Sequence, residues 1–255
     1  MSRGRRGVPT VVALLSLLLA FAGCSVGPTR TAAPPKAVAQ VEAPPTAPAS
    51  PPAEEPPPAW IANAIVPRVA VYDAPGAAAP ARSLSNPTAE RYPLVFGVLE
   101  RQGDWVRVRL AVRPNGSTGW VRAADVTLAS TPYRVVVEVG AHRVTLFKGN
   151  EQVLQDAVVV GKAQSPTPLG DSYIDVVWPL ADTRGVYGPY QLSMAAFSDV
   201  LKSFGGGRGQ IALHGTNSPG LLGSSVSNGC IRLRNETITT LAQSVPAGTP
   251  VQVVA

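Results

Sequence analysis

Eleven prolines fall in the thirty-one residues from Pro28 to Pro58, among alanines and with almost no large apolar side chain. Proline fixes φ near −65° and has no amide donor, and a stretch this poor in apolar surface gains too little by burial to offset the ordering of its backbone. Residues 24–59 are therefore expected to be an extended tether, so any packed core must come from the residues that follow. At about 3.1 Å per residue in polyproline II the thirty-one residues reach roughly 95 Å. A spacer of untuned length has the same composition, and the sequence does not separate the two.

Upstream of the tether, Arg3, Arg5 and Arg6 precede an apolar run from Val11 to Ala22 that closes on Phe21-Ala22-Gly23-Cys24. Twelve apolar residues are too few to span a bilayer, which needs about 20, and the layout is that of a signal peptide over residues 1–23. The ending resembles a bacterial lipoprotein box, with Phe21 where Leu is commoner; on that resemblance Cys24 is the lipid attachment site. Plain secretion and an uncleaved anchor stay open as alternatives. The expected location is extracytoplasmic, with the protein held to a membrane by its N-terminal lipid.

From Trp60 to about residue 130 the chain turns to short β-like runs, at Arg68–Tyr72, Tyr92–Leu99, Trp105–Leu110 and Gly119–Val121. The third alternates, with Val106 and Val108 set among arginines, and Pro114-Asn115-Gly116 supplies a turn before the fourth. This pattern predicts a small antiparallel barrel over residues 60–130. Gly103-Asp104-Trp105-Val106-Arg107-Val108 and Gly119-Trp120-Val121 resemble bacterial Src-homology-type wall-binding barrels, so Trp105 and Trp120 are either ligand-binding rings or plain core.

Residues 131–255 again favour strands, at Arg134–Val139, Arg143–Phe147, Val153–Val160, Gln210–Leu213 and Val251–Val254, with two helices expected between them. Ala196, Phe197, Val200, Leu201 and Phe204 fall on one face at a 3.6 period. Asn235 is placed to cap the second helix, with Ile238, Leu241, Ala242 and Val245 inward and Pro246-Ala247-Gly248 ending it. The expected fold is mainly β with minor helices.

The chemistry concentrates in two places, His214-Gly215-Thr216 and, sixteen residues after the histidine, Cys230 within Ser227-Asn228-Gly229-Cys230-Ile231-Arg232. A thiol is a strong nucleophile only as thiolate, and a neighbouring imidazole that takes its proton depresses the thiol pKa from about 8.5. Gly229 lets backbone beside the sulfur approach a substrate carbonyl, where amide N–H groups hold a developing oxyanion. Two cysteines in an exported chain ordinarily suggest a disulfide, but lipidation of Cys24 leaves Cys230 unpaired. A buried structural cysteine is the other reading of that residue.

Other chemistries lack their parts. Two histidines and one free thiol make no zinc ligand set, and neither metal nor cofactor is expected. Gly205-Gly206-Gly207-Arg208-Gly209 lacks the Lys-Ser or Lys-Thr of a phosphate loop and reads as a flexible turn. No Ser-x-x-Lys or Lys-Thr-Gly is present, which excludes the serine-based penicillin-binding scheme. Without the first 23 residues the chain carries 19 basic and 16 acidic groups, and with no basic run nucleic acid is not an expected partner. His142 has no His partner nearby and is expected at the surface.

The stretch His214-Gly215-Thr216-Asn217-Ser218-Pro219 … Gly223 … Ser227-Asn228-Gly229-Cys230-Ile231-Arg232 resembles the signature of the L,D-transpeptidases, bacterial enzymes that cross-link peptidoglycan through an active-site cysteine. The likeness extends through Thr167-Pro168-Leu169-Gly170, Tyr187-Gly188-Pro189-Tyr190 and Ser203-Phe204-Gly205-Gly206-Gly207. It implies a β-rich catalytic domain, Cys230 as nucleophile, His214 as base and the Gly215 carbonyl orienting it, with peptidoglycan stem peptides as partners. Ser227, Asn228, Gly229 and Arg232 then border the substrate, and Tyr187 and Tyr190 form a lid; a plain loop at Gly188-Pro189 and a scaffold salt bridge at Arg232 are the other readings. Asn228 departs from the pattern, since the family often carries a second His there. Three functions stay open: transpeptidase, carboxypeptidase with water as acceptor, and a non-catalytic wall-binding lipoprotein.

Overall fold

The structure, a computed structural model, describes residues 55–255, so the expectations for the signal peptide, for Cys24 and for most of the tether lie outside the described residues. What is described is mainly β, gathered around two hydrophobic cores within one compact unit.

The first lobe holds β1 (Ala59–Ala64), β2 (Arg68–Val71), β3 (Arg82–Ser85), β4 (Val95–Gln102), β5 (Trp105–Arg109), β6 (Thr118–Arg122) and β7 (Val126–Thr131). Five of these make an antiparallel sheet in the order β6-β5-β4-β1-β7, while β2 and β3 pair as a hairpin. In β5 the alternation has its physical consequence: Val106 and Val108 are buried and Arg107 is exposed, because successive side chains leave a strand on opposite faces. Trp105 and Trp120 are half-buried and stand outside that core. The Trp105 ring meets Tyr72 edge-on with centroids 5.0 Å apart, and Arg122 lies over both rings.

The second lobe follows after Pro132. It contains β8 (Tyr133–Glu138), β9 (Arg143–Lys148), β10 (Glu151–Ala157), β11 (Val160–Gly161), β12 (Gly170–Pro179), β13 (Tyr190–Phe197), β14 (Gln210–His214), β15 (Ser225–Ser227), β16 (Ile231–Arg232), α1 (Asn235–Ser244) and β17 (Pro250–Val254). Eight strands form one sheet in the order β10-β9-β8-β17-β12-β13-β14-β16. β17 runs parallel to β8, placing Val251 and Val253 against Val135 and Val137. Burying each such side chain contributes about 1.5–3 kcal/mol.

One expected helix is absent. Ala196 and Phe197 finish β13, where Leu192, Met194 and Ala196 reach the core at period 2. The chain then turns because the Ser198 hydroxyl accepts the amides of Val200 and Leu201 at 3.3 and 3.0 Å. Val200 and Phe204 are exposed rather than inward. Phe197 lies beneath the guanidiniums of Arg113 and Arg208, whereas the helical reading gave it only apolar company.

The second helix exists, with a different start. Arg234 occupies the cap without a side-chain cap bond, and Asn235 is the first helical residue; its Oδ1 accepts instead from the Thr216 amide at 2.9 Å. Ile238, Leu241 and Val245 are buried as expected, while Ala242 is only half-buried.

The lobes are joined through polar contacts. Arg113 donates to the carbonyls of Arg208, Ser198 and Leu201 at 2.9, 3.0 and 3.1 Å, and Asn115 bonds the backbone of Phe197 in both directions at 2.8 Å. The Tyr173 hydroxyl donates to the Val95 carbonyl at 3.1 Å, and Arg109 pairs with Asp171 at 2.8 Å.

Candidate active site

Strand register lays out the site. Across the sheet Trp178 faces Gln191, Gln191 faces His214, and His214 faces Arg232. Two residues along, in a second row on the same face, Val176 faces Ser193 and Ser193 faces Ala212. Cys230 immediately precedes β16, which brings it beside Ala212 in that second row. His214 and Cys230 therefore lie on neighbouring strands, two register positions apart. Both line a cavity of about 1090 Å³ whose walls come from the two lobes.

His214 is 4 % exposed, and its Nδ1 is 2.7 Å from the Gly215 carbonyl oxygen. A carbonyl only accepts, so Nδ1 carries the hydrogen and Nε2 keeps its lone pair free to take a proton. The turn that allows this contact is tight: a Cβ on Gly188 would stand 2.7 Å from the Gly215 Cα, and Gly188 has φ of +63°. That close approach also seats the Tyr187 ring edge-on to the imidazole, with centroids 4.8 Å apart. Tyr187 lines the cavity; Tyr190 packs against the core and is not among the lining residues.

The cysteine loop is held from below. The Ser227 hydroxyl donates to the Cys230 carbonyl at 2.6 Å and accepts the Gly229 amide at 3.1 Å, so its hydrogen-bonding capacity is used within the loop. Gly229 has φ of +116°, and a Cβ there would meet Ile211 at 2.9 Å, which accounts for a glycine at this position. Its carbonyl accepts from Thr167, whose Oγ1 in turn accepts the Gly161 amide at 2.9 Å. Thr167 and Asn235 thus position the two halves of the site, and sequence reasoning gave neither that role; Thr167 stood only as one letter of a matching motif. Asn228 and Arg232 line the cavity, and the Arg232 backbone bonds Val159 in both directions. His142 is half-buried, bonds the Ser225 hydroxyl at 2.8 Å and takes no part in the cavity lining. Gly205 to Gly209 form a turn, and the described residues hold no cluster of metal-ligating side chains.

Electrostatics correct one expectation. Rather than a depressed thiol, the site holds a neutral pair: burial pushes the Cys230 thiol up, opposed by the Ala212 backbone and by Arg232. Burial likewise lowers His214 to about 4, opposed by the Gly215 carbonyl and reinforced by Arg232. An imidazole in this state is a free base throughout the neutral range, and the thiol beside it holds its proton more firmly than a free cysteine does. The arrangement suits concerted proton transfer with nucleophilic attack on a carbonyl.

Comparison with known proteins finds likenesses for the second lobe. Residues 132–253 match the YkuD family, described as the L,D-transpeptidase catalytic domain. Over 122 residues the chain is 34% identical to a putative L,D-transpeptidase YkuD of Bacillus subtilis (strain 168), covering 48% of this chain and 66% of that protein. A probable L,D-transpeptidase YbiS of Escherichia coli (strain K12) is 56% identical over 41 residues, 16% of this chain and 13% of that protein. The chain thus spans less than two-thirds of the length of these relatives. Among solved structures, an L,D-transpeptidase from Mycobacterium smegmatis aligns with a TM-score of 0.41 at 19% identity, covering 73% of this chain and 99% of that one. The segment 132–253 of the second lobe is thus similar to the L,D-transpeptidase catalytic domain.

Proposed function

We propose that the protein is a cysteine-dependent L,D-transpeptidase that cross-links peptidoglycan stem peptides through a thioester. The observation that carries this reading is the His214–Gly215 contact, which fixes the imidazole with its basic nitrogen free on the strand next to Cys230. In the first step His214 Nε2 takes the thiol proton as Cys230 Sγ attacks the carbonyl of the third stem residue. The carbon–nitrogen bond to the terminal D-alanine breaks, and the imidazolium returns its proton to the leaving amine. In the second step an amine from a neighbouring stem attacks the thioester, His214 takes its proton, and the sulfur leaves to be reprotonated. The Arg232 charge lowers both groups, so it eases loss of the thiol proton while opposing the imidazolium, and the two effects offset one another in this transfer.

Two companion proposals concern the rest of the chain. Cys24 carries the lipid that anchors the protein on the outer side of a membrane, and the proline-rich segment spaces the folded lobes from it. The first lobe, with the half-buried rings of Trp105 and Trp120, contributes to wall contact. Incubating the full chain with purified disaccharide-tetrapeptide tests the activity: a cross-linked dimer supports transpeptidation, tripeptide alone means that water is the acceptor, and unchanged substrate overturns both.

A further inference from the structure

The cavity extends well past the catalytic pair, and its far end is built differently. Trp178, in the same row as His214 and two strands away, is 42 % exposed into the cleft. The ring of Tyr92, reaching over from the first lobe, packs against it with centroids 5.7 Å apart at 57°. Tyr92 stands on a braced loop. The Asn86 amide donates to the carbonyls of Ala64 and Val66 at 3.0 and 3.2 Å and its oxygen accepts the Leu94 amide at 3.0 Å, while Thr88 and Tyr92 bond each other at 2.8 and 3.3 Å.

Around the rings the lining is polar. Ser83, Ser85 and Thr88 line the cleft. Asp175, at the bulge of β12 that interrupts its register with β13, lines the same cleft; Gln210 donates to its Oδ2 at 2.7 Å, but its buried Oδ1 has no hydrogen-bond partner. A buried acceptor left without a donor is a group that a ligand satisfies. Nearby charge is already balanced, since Arg208 pairs with Glu90 at 3.4 Å across the cleft.

We propose that Trp178, Tyr92 and Asp175 form a saccharide subsite for the amino sugar that carries the stem peptide. The chemistry fits a pyranose, whose C–H face stacks on an aromatic ring while its hydroxyl and amide hydrogens at the rim seek acceptors. This inference rests on the transpeptidase reading for the identity of its ligand.

Titration calorimetry of the full chain carrying Cys230→Ser, with disaccharide-tetrapeptide and with sugar-free tetrapeptide, tests it. The sugar-bearing ligand is expected to bind at least tenfold more tightly, and Trp178→Ala or Tyr92→Ala to bring that ratio close to one, while Trp178→Phe keeps most of it. Circular dichroism melting verifies that each variant is folded, and Tyr92→Ala with Trp178→Phe carries the test if Trp178→Ala is not. Equal binding of the two ligands by the parent chain, or an unchanged ratio in the folded alanine variants, overturns the subsite. Sugar-dependent binding by the Cys230→Ser chain, together with an unmutated chain that turns over neither substrate, would refute the transpeptidase reading and leave the subsite standing.

Discussion

His214 and Cys230 are neutral for the same reason, desolvation, and this fixes how pH acts on each. The base is competent only when unprotonated, so kcat/KM is expected to fall as pH drops through about 4, the value of the free enzyme's imidazole, with no acid limb near 6.5. Because the Arg232 charge lowers both groups, Arg232→Gln should move that limb to higher pH and slow alkylation of Cys230 by iodoacetamide at fixed pH. A rate profile identical to wild type in both assays would remove Arg232 from the electrostatics of the site. Stability follows from the same pKa. Below about 6.5 the unfolded chain takes up a proton that buried His214 refuses, so this residue destabilises the fold progressively as pH falls from 6.5 towards 4, by up to about 3 kcal/mol. His214→Gln should flatten the difference between urea unfolding at pH 7 and at pH 4.5. Asp175, raised to about 6 by burial, acts in the opposite sense, since its contribution is lost as pH rises through 6. The candidate pair could be picked out in the sequence because a histidine, glycines and a cysteine stand in one register. Their protonation states could not, since burial is set by the packing of β13, β14 and the Tyr187 loop rather than by neighbours in the chain.

At the scale of elements, strand-length runs of β-branched residues made several strands of the second lobe legible: Val135 and Val137, Val144 and Leu146, and Val251 and Val253 all reach the core. β1 went unread because Ala59–Ala64 is alanine-rich, and it becomes a strand through pairing on both edges, with β4 and β7. The false helix at 196–204 shows the converse, a 3.6-residue period that tertiary context overrode. Ser198 turns the chain, and Arg113 from the other lobe fixes the turn by its three carbonyl contacts. Since this loop walls the cavity, Arg113→Ala should lower stability by about 2 kcal/mol, the scale of charged hydrogen bonds lost, and raise KM more than it lowers kcat. Urea midpoints and steady-state kinetics read the two effects. A variant with wild-type stability and KM would show that the loop holds its place unaided.

In the whole molecule, the sequence pattern suggested two β regions in series, whereas the structure makes them share a cleft, because contacts such as Tyr173–Val95 and Arg208–Glu90 join residues that sequence reasoning had no means to pair. The proposed anchor lies at the other end of the chain. A single acyl chain binds membranes marginally and two or more anchor stably, so Cys24→Ala should move the protein out of the detergent phase in a partitioning assay. Partitioning unchanged by the substitution would assign anchoring to the apolar segment itself. The central claim, that Cys230 is the acylated nucleophile, is tested most directly by intact-protein mass spectrometry of the full chain after exposure to a carbapenem, whose strained lactam carbonyl offers the same electrophile as the stem peptide. The expected result is a single adduct that maps to Cys230 and is absent from Cys230→Ser; no adduct, or one that maps to a serine, would contradict it.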